Sequence, residues 1–140
     1  MGAKENKALS KKMYDALLAK NLPGFLACCS KDVKITAPGC QALLPWRVSV
    51  TGLDNVPGWL MFMNQHISMD KVEPQQYIAD EDKVVIFVKE TLTVQSNKRT
   101  FQLDEVHVHT HRDGKIVDVT MYEDTVRVLA EVRGKDITEM

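Results

Sequence analysis

The stretch RTFQLDEVHVHTHRDGKIVDVTMYED, residues Arg99–Asp124, decides the fold. Two runs of alternating apolar and polar side chains flank the segment Arg112–Lys115, whose Asp-Gly pair is typical of a tight β-hairpin turn. Successive side chains of a β-strand point to opposite faces of the sheet. This period of two therefore places Glu105 on one face together with three histidines, His107, His109 and His111.

The length of the hairpin loop decides what faces the histidines, because a shift of one residue moves every side chain of a strand to the other face. The two-residue loop Asp113-Gly114 would set His107 and His109 opposite polar side chains, as on a solvent-exposed face. A three-residue loop that begins one residue earlier would set them opposite Val119 and Val117. Polar groups within an apolar wall are typical of a ligand pocket. The residues alone leave both registers open.

Composition indicates one ordinary globular domain. The chain has 140 residues, of which 44% are hydrophobic and 26% are charged, and its formal net charge is −1. We expect a single domain over residues 1–140, with loose tails at 1–5 and 133–140. Eighteen basic and nineteen acidic residues leave no basic footprint for nucleic acid. No apolar run approaches the ~20 residues of a membrane span, so we expect no membrane partner.

The cysteines are three, and two of them are the adjacent Cys28 and Cys29. This number and spacing make a poor disulfide framework. We therefore expect reduced thiols in a cytoplasmic protein, with Cys28 and Cys29 as small core residues.

The periodicity along the chain predicts helices first and a long antiparallel meander last. Helices are expected at 6–20, 22–29 and 54–67, strands at 33–37, 71–79 and 83–94, and the closing hairpin follows. A turn at Ser96-Asn97 joins the strand 83–94 to the histidine strand. This order predicts an α+β fold in which the helices pack on one face of a curved sheet.

Four stretches resemble a known family: MYDALLAKNLPGFLACCSKDVKI (13–35), LPW (44–46), TGLDNVPGWLMFM (51–63) and HVHTHRDGKIVDVTMYEDT (107–125). They are similar to the SnoaL-like and ketosteroid-isomerase-like proteins, which share the fold of nuclear transport factor two. The resemblance implies a cone-shaped α+β fold, in which N-terminal helices and a curved, mainly antiparallel sheet enclose one pocket. It also favours the three-residue hairpin loop.

With that register, the resemblance implies which residues face the pocket. Trp46 is expected to stack on a ligand ring. Glu105, His107 and His109 are expected on the pocket side of the sheet. The pocket wall beside them is expected to be formed by apolar and acidic side chains: Ile86, Val88, Glu90, Val117, Val119, Met121 and Glu123. His111, beside the turn, and His66, at a helix end, are expected to be exposed.

The chemistry that the resemblance implies is proton transfer without a cofactor. Tyr14 lies close to the family's tyrosine donor, and His107 falls where ketosteroid isomerases carry an aspartate donor. Those enzymes need a carboxylate base near Trp46, but no Asp or Glu occurs at 34–52. This departure argues against steroid isomerisation. SnoaL-type cyclases use a late aspartate beside a histidine, and Asp124 and Glu123 are the carboxylates available there.

The sequence therefore predicts an isomerase, cyclase or dehydratase that acts on an apolar, carbonyl-bearing or polycyclic ligand. Its predicted catalytic residues are His107, His109, Tyr14, Glu105 and Asp124, with a histidine moving the proton and Glu105 orienting it. One alternative is a non-catalytic binding or dimerisation module of the same fold. A second is a metal site in the Glu-x-His-x-His row, although the resembled family requires no metal.

The opposite sheet face predicts association. Its expected side chains are apolar and cannot be covered by the same helices: Val85, Phe87, Val106, Val108 and Ile116. An apolar patch of this size usually marks an interface. We expect a homodimer through it.

Overall fold

A computed structural model describes residues 2–140. The elements in chain order are α1 (Ala3–Leu18), α2 (Leu22–Ala27), β1 (Cys29–Thr36), β2 (Ser49–Thr51), α3 (Val56–His66), β3 (Ile67–Asp80), β4 (Lys83–Val94), β5 (Thr100–Arg112), β6 (Lys115–Tyr122) and α4 (Thr125–Arg133). Short 3₁₀ helices span Leu53–Asn55 and Ile137–Glu139. Helix α1 already includes residues 3–5, which were expected in a loose tail.

The six strands form one open, mixed sheet in the order β2-β1-β6-β5-β4-β3. Strands β1 and β6 run parallel, and every other neighbouring pair is antiparallel. Helices α1 and α3 pack against this sheet, and α4 contributes the buried Val128 to the same core. The predicted α+β architecture, with helices packed on a mainly antiparallel sheet, is confirmed. The face that the helices cover is called the inner face below.

The strict alternation of β4 shows how sequence produces this packing. Val84, Ile86, Val88 and Glu90 are buried on the inner face, and the residues between them are more exposed. Full burial of each aliphatic side chain contributes roughly 1.5–3 kcal/mol to folding. Strand β3 lies at the edge of the sheet, as Pro74 within it predicts, because proline cannot donate a ladder hydrogen bond.

The hairpin between β5 and β6 has the two-residue loop, and the predicted three-residue loop is wrong. Arg112 pairs with Lys115 across the turn. Asp113 and Gly114 both adopt positive φ, of 51° and 75°. Positive φ at both central residues is the requirement of a type I′ turn, which matches the twist of the flanking strands.

A β-bulge at Val117 restores the orientation that the longer loop would have given. His111 pairs with Ile116 and Thr110 pairs with Asp118, so Val117 has no partner on β5. The bulge inserts one residue into β6. Beyond it, His107 lies opposite Met121 and His109 lies opposite Val119, two positions away from the predicted partners. Both histidines nevertheless lie on the inner face.

The same turn corrects two further predictions. Ile116 is fully buried on the inner face, because the two-residue loop places it opposite His111. His111 is likewise buried and covered by α1, although it was expected to be exposed. His66 is half-buried, with its ring stacked on that of Trp46. Among residues 2–140, none of the helices is long and apolar enough to cross a lipid bilayer.

Candidate functional site

An apolar cavity of about 70 Å³ lies between the sheet and helices α1–α3. Its wall includes large apolar side chains from every layer of the fold, among them Phe25, Trp46, Trp59, Met63, Val119 and Met121. Six polar side chains also reach it: Tyr14, Arg47, Glu90, Glu105, His107 and Glu123. A concave apolar surface with a few converging polar groups is the usual form of a small-molecule site.

A wider groove of about 350 Å³ lies beside the cavity, between α1, α2 and α3. Leu17, Phe25, Leu60 and Met63 line both spaces, as do two residues of β3, Met69 and Val72. These side chains form an apolar partition. A ligand would therefore reach the polar groups of the cavity by displacing apolar side chains from the groove.

Tyr14 and His107 join α1 to the floor of the cavity. The Tyr14 hydroxyl lies 2.7 Å from His107 Nδ1 and 3.3 Å from His109 Nε2. His107 Nε2 lies 2.8 Å from Glu105 Oε1. These partners are adjacent because Glu105, His107 and His109 are alternate residues of β5 on one face. Both ring nitrogens of His107 are therefore engaged.

Two carboxyl groups meet beside His107. Side-chain oxygens of Glu90 and Glu105 and a ring nitrogen of His107 lie within 4.8 Å of one another. Burial raises the pKa of Glu90 well above its usual range, and the neighbouring charge of Glu105 raises it further. Burial also raises the pKa of Glu105, to about 7. Since two adjacent buried carboxylates repel each other, one of the pair holds a proton near neutral pH.

Glu105 keeps one oxygen free for a ligand. Its Oε1 accepts the bond from His107, whereas Oε2 is buried and has no hydrogen-bond partner among residues 2–140. An unpaired buried acceptor costs about 1–3 kcal/mol. A ligand group or a water in the cavity would satisfy it.

Arg47 is a site residue that sequence reasoning missed. Its Nη1 donates to Glu123 Oε1 at 2.5 Å, Nη2 donates to the Met121 carbonyl at 2.8 Å, and Nε donates to the Pro38 carbonyl at 2.9 Å. The guanidinium thus fixes the loop after β1 to the end of β6. Burial raises the pKa of Glu123 to about 7, and the positive charge of Arg47 opposes this effect.

The aromatic wall is fixed by its own contacts. Trp59 Nε1 donates to the Trp46 carbonyl at 3.0 Å, and the rings of Trp46 and His66 stack with centroids 5.5 Å apart. Trp46 lines the cavity, where the sequence predicted it. Trp59 lines the cavity as well.

The structure brings some of the predicted catalytic residues together and separates others. Tyr14, Glu105 and His107 meet at the cavity. His109 lies behind them, fully buried, with both ring nitrogens bonded to α1. Asp124 does not reach the cavity, because its carboxylate caps α4 by accepting from the Arg127 N–H at 3.1 Å. Glu123 is the late carboxylate that does reach it.

The predicted pocket wall is corrected in the same way. Glu90, Val119, Met121 and Glu123 line the cavity. Ile86 and Val88 point to the inner face but are packed within the core. Val117 lines a recess on the opposite face of the sheet instead, because it is the extra residue of the bulge and does not follow the inward and outward alternation of β6.

The Glu-x-His-x-His row does not form the metal site that was considered as an alternative. Its second histidine, His109, uses both nitrogens toward Ser10 and Tyr14. The groups close enough to share an ion are Glu90, Glu105 and His107. Burial lowers the pKa of His107, so its imidazole is neutral near pH 7, as a metal ligand or a proton acceptor must be.

Comparisons with known proteins agree with this fold. An NTF2-like protein of unknown function from Burkholderia pseudomallei superposes with a TM-score of 0.85 at 25% identity, over 94% of this chain and 98% of that one. TerC co-crystallised with polyporic acid gives 0.85 at 22% identity, over 92% and 98%. A candidate polyketide cyclase from Xanthomonas campestris gives 0.74 at 17% identity, over 93% and 98%.

No curated protein matches the sequence significantly. The family comparison is decisive, because the profile of the SnoaL-like domain matches residues 11–119, most of the chain. This chain belongs to the SnoaL-like domain family.

Proposed function

We propose that this protein catalyses proton transfer on a small apolar carbonyl compound, as an isomerase, cyclase or dehydratase without a cofactor. The observation that carries the proposal is the buried pair Glu90 and Glu105, held by His107 against an apolar cavity. Burying ionisable groups is costly unless they are paired. Clusters with perturbed pKa values in a cleft are typical of catalytic sites.

Glu105 is the proposed base. Its pKa of about 7 makes the carboxylate available near neutral pH and strong enough to remove a proton from a carbon next to a carbonyl. Its free Oε2 is the oxygen that meets the substrate. His107 is hydrogen-bonded to Oε1 and therefore orients the carboxylate. The sequence suggested that a histidine moves the proton, and the proposal gives that role to Glu105 instead.

Glu90 is the proposed donor to the substrate oxygen, and Tyr14 positions His107 beside it. Burial keeps Glu90 protonated near neutral pH, so that it can donate a hydrogen bond to the developing enolate. Tyr14 also lines the cavity, and burial raises the pKa of its phenol well above the usual range. The proton on Glu105 then returns to another carbon, or to a departing hydroxyl group.

The ligand is proposed to be ring-bearing and larger than the inner cavity. Ligand pockets usually measure about 300–1,000 Å³. The cavity of about 70 Å³ would take the carbonyl end, and the adjoining groove of about 350 Å³ would take the apolar remainder. Trp46 offers a flat surface for a ring. The co-crystal of TerC with polyporic acid supports a small-molecule ligand for this fold.

A solvent-exchange screen tests the proposal without knowledge of the product. Small cyclic and aromatic ketones are incubated with the protein in D₂O, and NMR follows deuterium uptake next to the carbonyl. We expect uptake with the parent protein and with Glu73→Gln, an exposed glutamate on β3. We expect it to be lost in Glu105→Gln.

The binding-module alternative has a different outcome in the same screen. Ligands would raise the melting temperature of the parent protein, yet none would exchange its protons. That result would replace the catalytic proposal with a non-catalytic small-molecule binder.

A divalent-metal site is the second candidate, and the proximity of Glu90, Glu105 and His107 favours it. A metal would have to displace a hydrogen bond of His107, because both of its ring nitrogens are engaged. Thermal unfolding with Zn²⁺ or Mn²⁺ and with EDTA tests it. A metal-dependent rise in melting temperature that Glu90→Gln abolishes would favour the metal site.

We also propose that two copies associate through the outer face of the sheet, opposite the helices. This face carries an apolar row across four strands: Ile78, Val85, Phe87, Val106, Val108 and Tyr122. Ile78, Phe87 and Tyr122 are 47%, 40% and 52% exposed. Lys89 and Asp104 pair across β4 and β5 at the border of the row, so a second copy related by a two-fold axis can meet opposite charges.

A further inference from the structure

The polar contacts of the candidate site continue beyond it along the interface between α1 and β5. Ser10 Oγ lies 2.8 Å from His109 Nδ1 and 3.0 Å from His111 Nε2. With the Tyr14 contacts described above, these bonds form one unbroken row of six side chains, called the relay row here: Glu105, His107, Tyr14, His109, Ser10 and His111.

The row exists because the repeats of a helix and a strand nearly coincide. Ser10 and Tyr14 are four residues apart, which is roughly 6 Å along a helix. Alternate residues of a strand are roughly 6.6–6.8 Å apart. Each hydroxyl of α1 therefore lies between two imidazoles of β5, Tyr14 between His107 and His109, and Ser10 between His109 and His111.

Every member of the row can accept a proton on one side and release one on the other. A neutral imidazole has one donor and one acceptor nitrogen, and a hydroxyl group is both donor and acceptor. Burial lowers the pKa of His107, His109 and His111, so the rings are neutral near pH 7. Burial raises the pKa of Tyr14, so the phenol keeps its proton.

The row has two complete hydrogen-bond arrangements. When Glu105 is ionised, each imidazole carries its hydrogen on Nε2, each hydroxyl donates toward Glu105, and the bare nitrogen at the far end is His111 Nδ1. When Glu105 is protonated, every bond is reversed and His111 Nδ1 carries a hydrogen. The two arrangements differ by one proton, which has moved along the whole row.

The two ends of the row lie in different places. Glu105 lines the cavity. His111 lines a surface recess of about 210 Å³ with Asn6, Asp82 and Asp113. The ring of His111 lines that recess, and its Nδ1 atom is buried and has no hydrogen-bond partner among residues 2–140. Such an unpaired buried atom calls for a physical reason.

We propose that the relay row is a proton wire that joins Glu105 in the cavity to solvent at the recess beside Asp82. The inference rests on the proposed function, because the wire serves that acid/base site. It lets Glu105 exchange its proton with solvent while an apolar ligand closes the cavity. The unpaired His111 Nδ1 is the atom that takes up the proton from water.

One passage of the wire moves one proton from the recess to Glu105. A proton from water binds His111 Nδ1, and the Nε2 proton of that ring passes to Ser10 Oγ. The hydroxyl proton of Ser10 passes to His109 Nδ1, and the Nε2 proton of His109 passes to the Tyr14 oxygen. The phenol proton passes to His107 Nδ1, and the Nε2 proton of His107 neutralises the Glu105 carboxylate. The reverse passage removes a proton from Glu105 Oε1. A proton taken from a substrate on Oε2 enters the wire once the carboxyl group has rotated to bring that oxygen to His107.

The charged groups that face the wire lie mainly at its ends. Glu90, Glu123 and Arg47 surround the cavity end, and Asp82 faces His111. Tyr77 of β3 packs edge-on against Tyr14, with ring centroids 6.2 Å apart. Tyr14, in the middle of the row, is influenced by the charges of Glu90 and Glu105, the same carboxyl groups that lie at the cavity end.

The test is NMR of the histidine ring nitrogens in ¹⁵N-labelled protein without any ligand. We expect the three rings of the row to share one tautomer and to change together as Glu105 titrates. In Ser10→Ala, the response of His111 should be lost while His107 still follows Glu105. Ser10→Thr keeps a hydroxyl group and should restore the response, and Ser96→Ala in an exposed turn should leave it intact.

If the histidine rings of the parent protein are in different tautomers, the proposed proton wire is wrong. This measurement uses the parent protein alone, so it does not depend on the folding of a variant. An unchanged response of His111 in Ser10→Ala would overturn the wire as well. The result is independent of the proposed function, since the exchange screen with Glu105→Gln tests catalysis and the ring tautomers test the wire.

Discussion

The hydroxyl of Tyr14 lies 2.7 Å from Nδ1 of His107, and this contact ties the first helix to the central strand of the sheet. The two residues are 93 positions apart in the chain. The contact therefore closes the fold around the cavity and, at the same time, fixes the imidazole that holds Glu105. Stability and the geometry of the site depend on the same atoms.

Removal of this hydroxyl should destabilise the protein. Tyr14→Phe leaves His107 Nδ1 and His109 Nε2 without their partner, and an unpaired buried polar group costs about 1–3 kcal/mol. Urea denaturation measures the loss. Tyr122→Phe is the matched control, because Tyr122 is 52% exposed. Equal stability of the two variants would mean that the Tyr14 contact contributes nothing.

Arg47 should be essential for the loop at the cavity. Arg47→Met leaves Glu123 buried without its counter-charge, and breaking a buried pair typically costs about 3–5 kcal/mol. The double variant with Glu123→Met should recover much of that loss. Arg127→Met removes the more exposed pair with Glu131 and should cost only about 0–1 kcal/mol. Similar losses for the two arginine variants would contradict this account.

Glu105 should make stability depend on pH. Its pKa is about 4.3 in an unfolded chain and about 7 in the folded protein, so the folded state holds the proton more tightly. Its stabilising contribution is complete below about pH 4.3 and is lost as the pH rises through about 7. Glu105→Gln keeps a neutral side chain and should gain stability relative to the parent over this window, on the order of 4 kcal/mol.

Denaturation of both proteins at several pH values measures this difference. The difference in unfolding free energy between the two proteins is compared, and not the parent value alone. The buried histidines have a lowered pKa, so they make the stability of the parent rise with pH below about 6.5, opposite to the effect of Glu105. Glu90, Glu123 and Arg47 face Glu105 and remain present in both proteins. A stability difference that stays constant with pH would show that the Glu105 carboxyl is not perturbed.

The outer face of the sheet should hold two copies together. Phe87→Lys places a charge in the centre of the apolar row and should convert the dimer to a monomer, as measured by light scattering at micromolar concentration. Lys7→Ala, at an exposed position of α1 away from this face, should leave the dimer intact. A monomeric parent protein would remove the proposal.

The orientation of the histidines followed from the sequence, and their register did not. Period two fixes that His107 and His109 share a face, because strand geometry permits nothing else. The residues of β6 that lie opposite the histidines depend on the bulge at Val117, which shifts the register set by the two-residue loop by one position. Apolar residues stand at 116, 117 and 119, so an apolar side chain can face inward with either loop, and the residues alone could not separate the two predicted registers.

The residues that sequence reasoning missed are polar side chains buried by the tertiary fold. Arg47 lies in an irregular loop, where no periodicity marks it as buried. His111 follows the alternation of β5, but its position beside a turn suggested exposure. Ser10 did carry a signal: it lies one turn before Tyr14 on the buried side of α1, so two hydroxyl groups share a helix face that packs on the sheet.

The most direct test of the account is the pH dependence of proton exchange by Glu105. The rate of deuterium uptake into a ketone that the screen identifies is measured in the parent, in Glu105→Gln and in Glu73→Gln. The account predicts a parent rate that rises through about pH 7, as the Glu105 carboxylate forms, and a loss of ~10²–10⁴ in Glu105→Gln alone. The same rate and pH profile in Glu105→Gln and in the parent would contradict it.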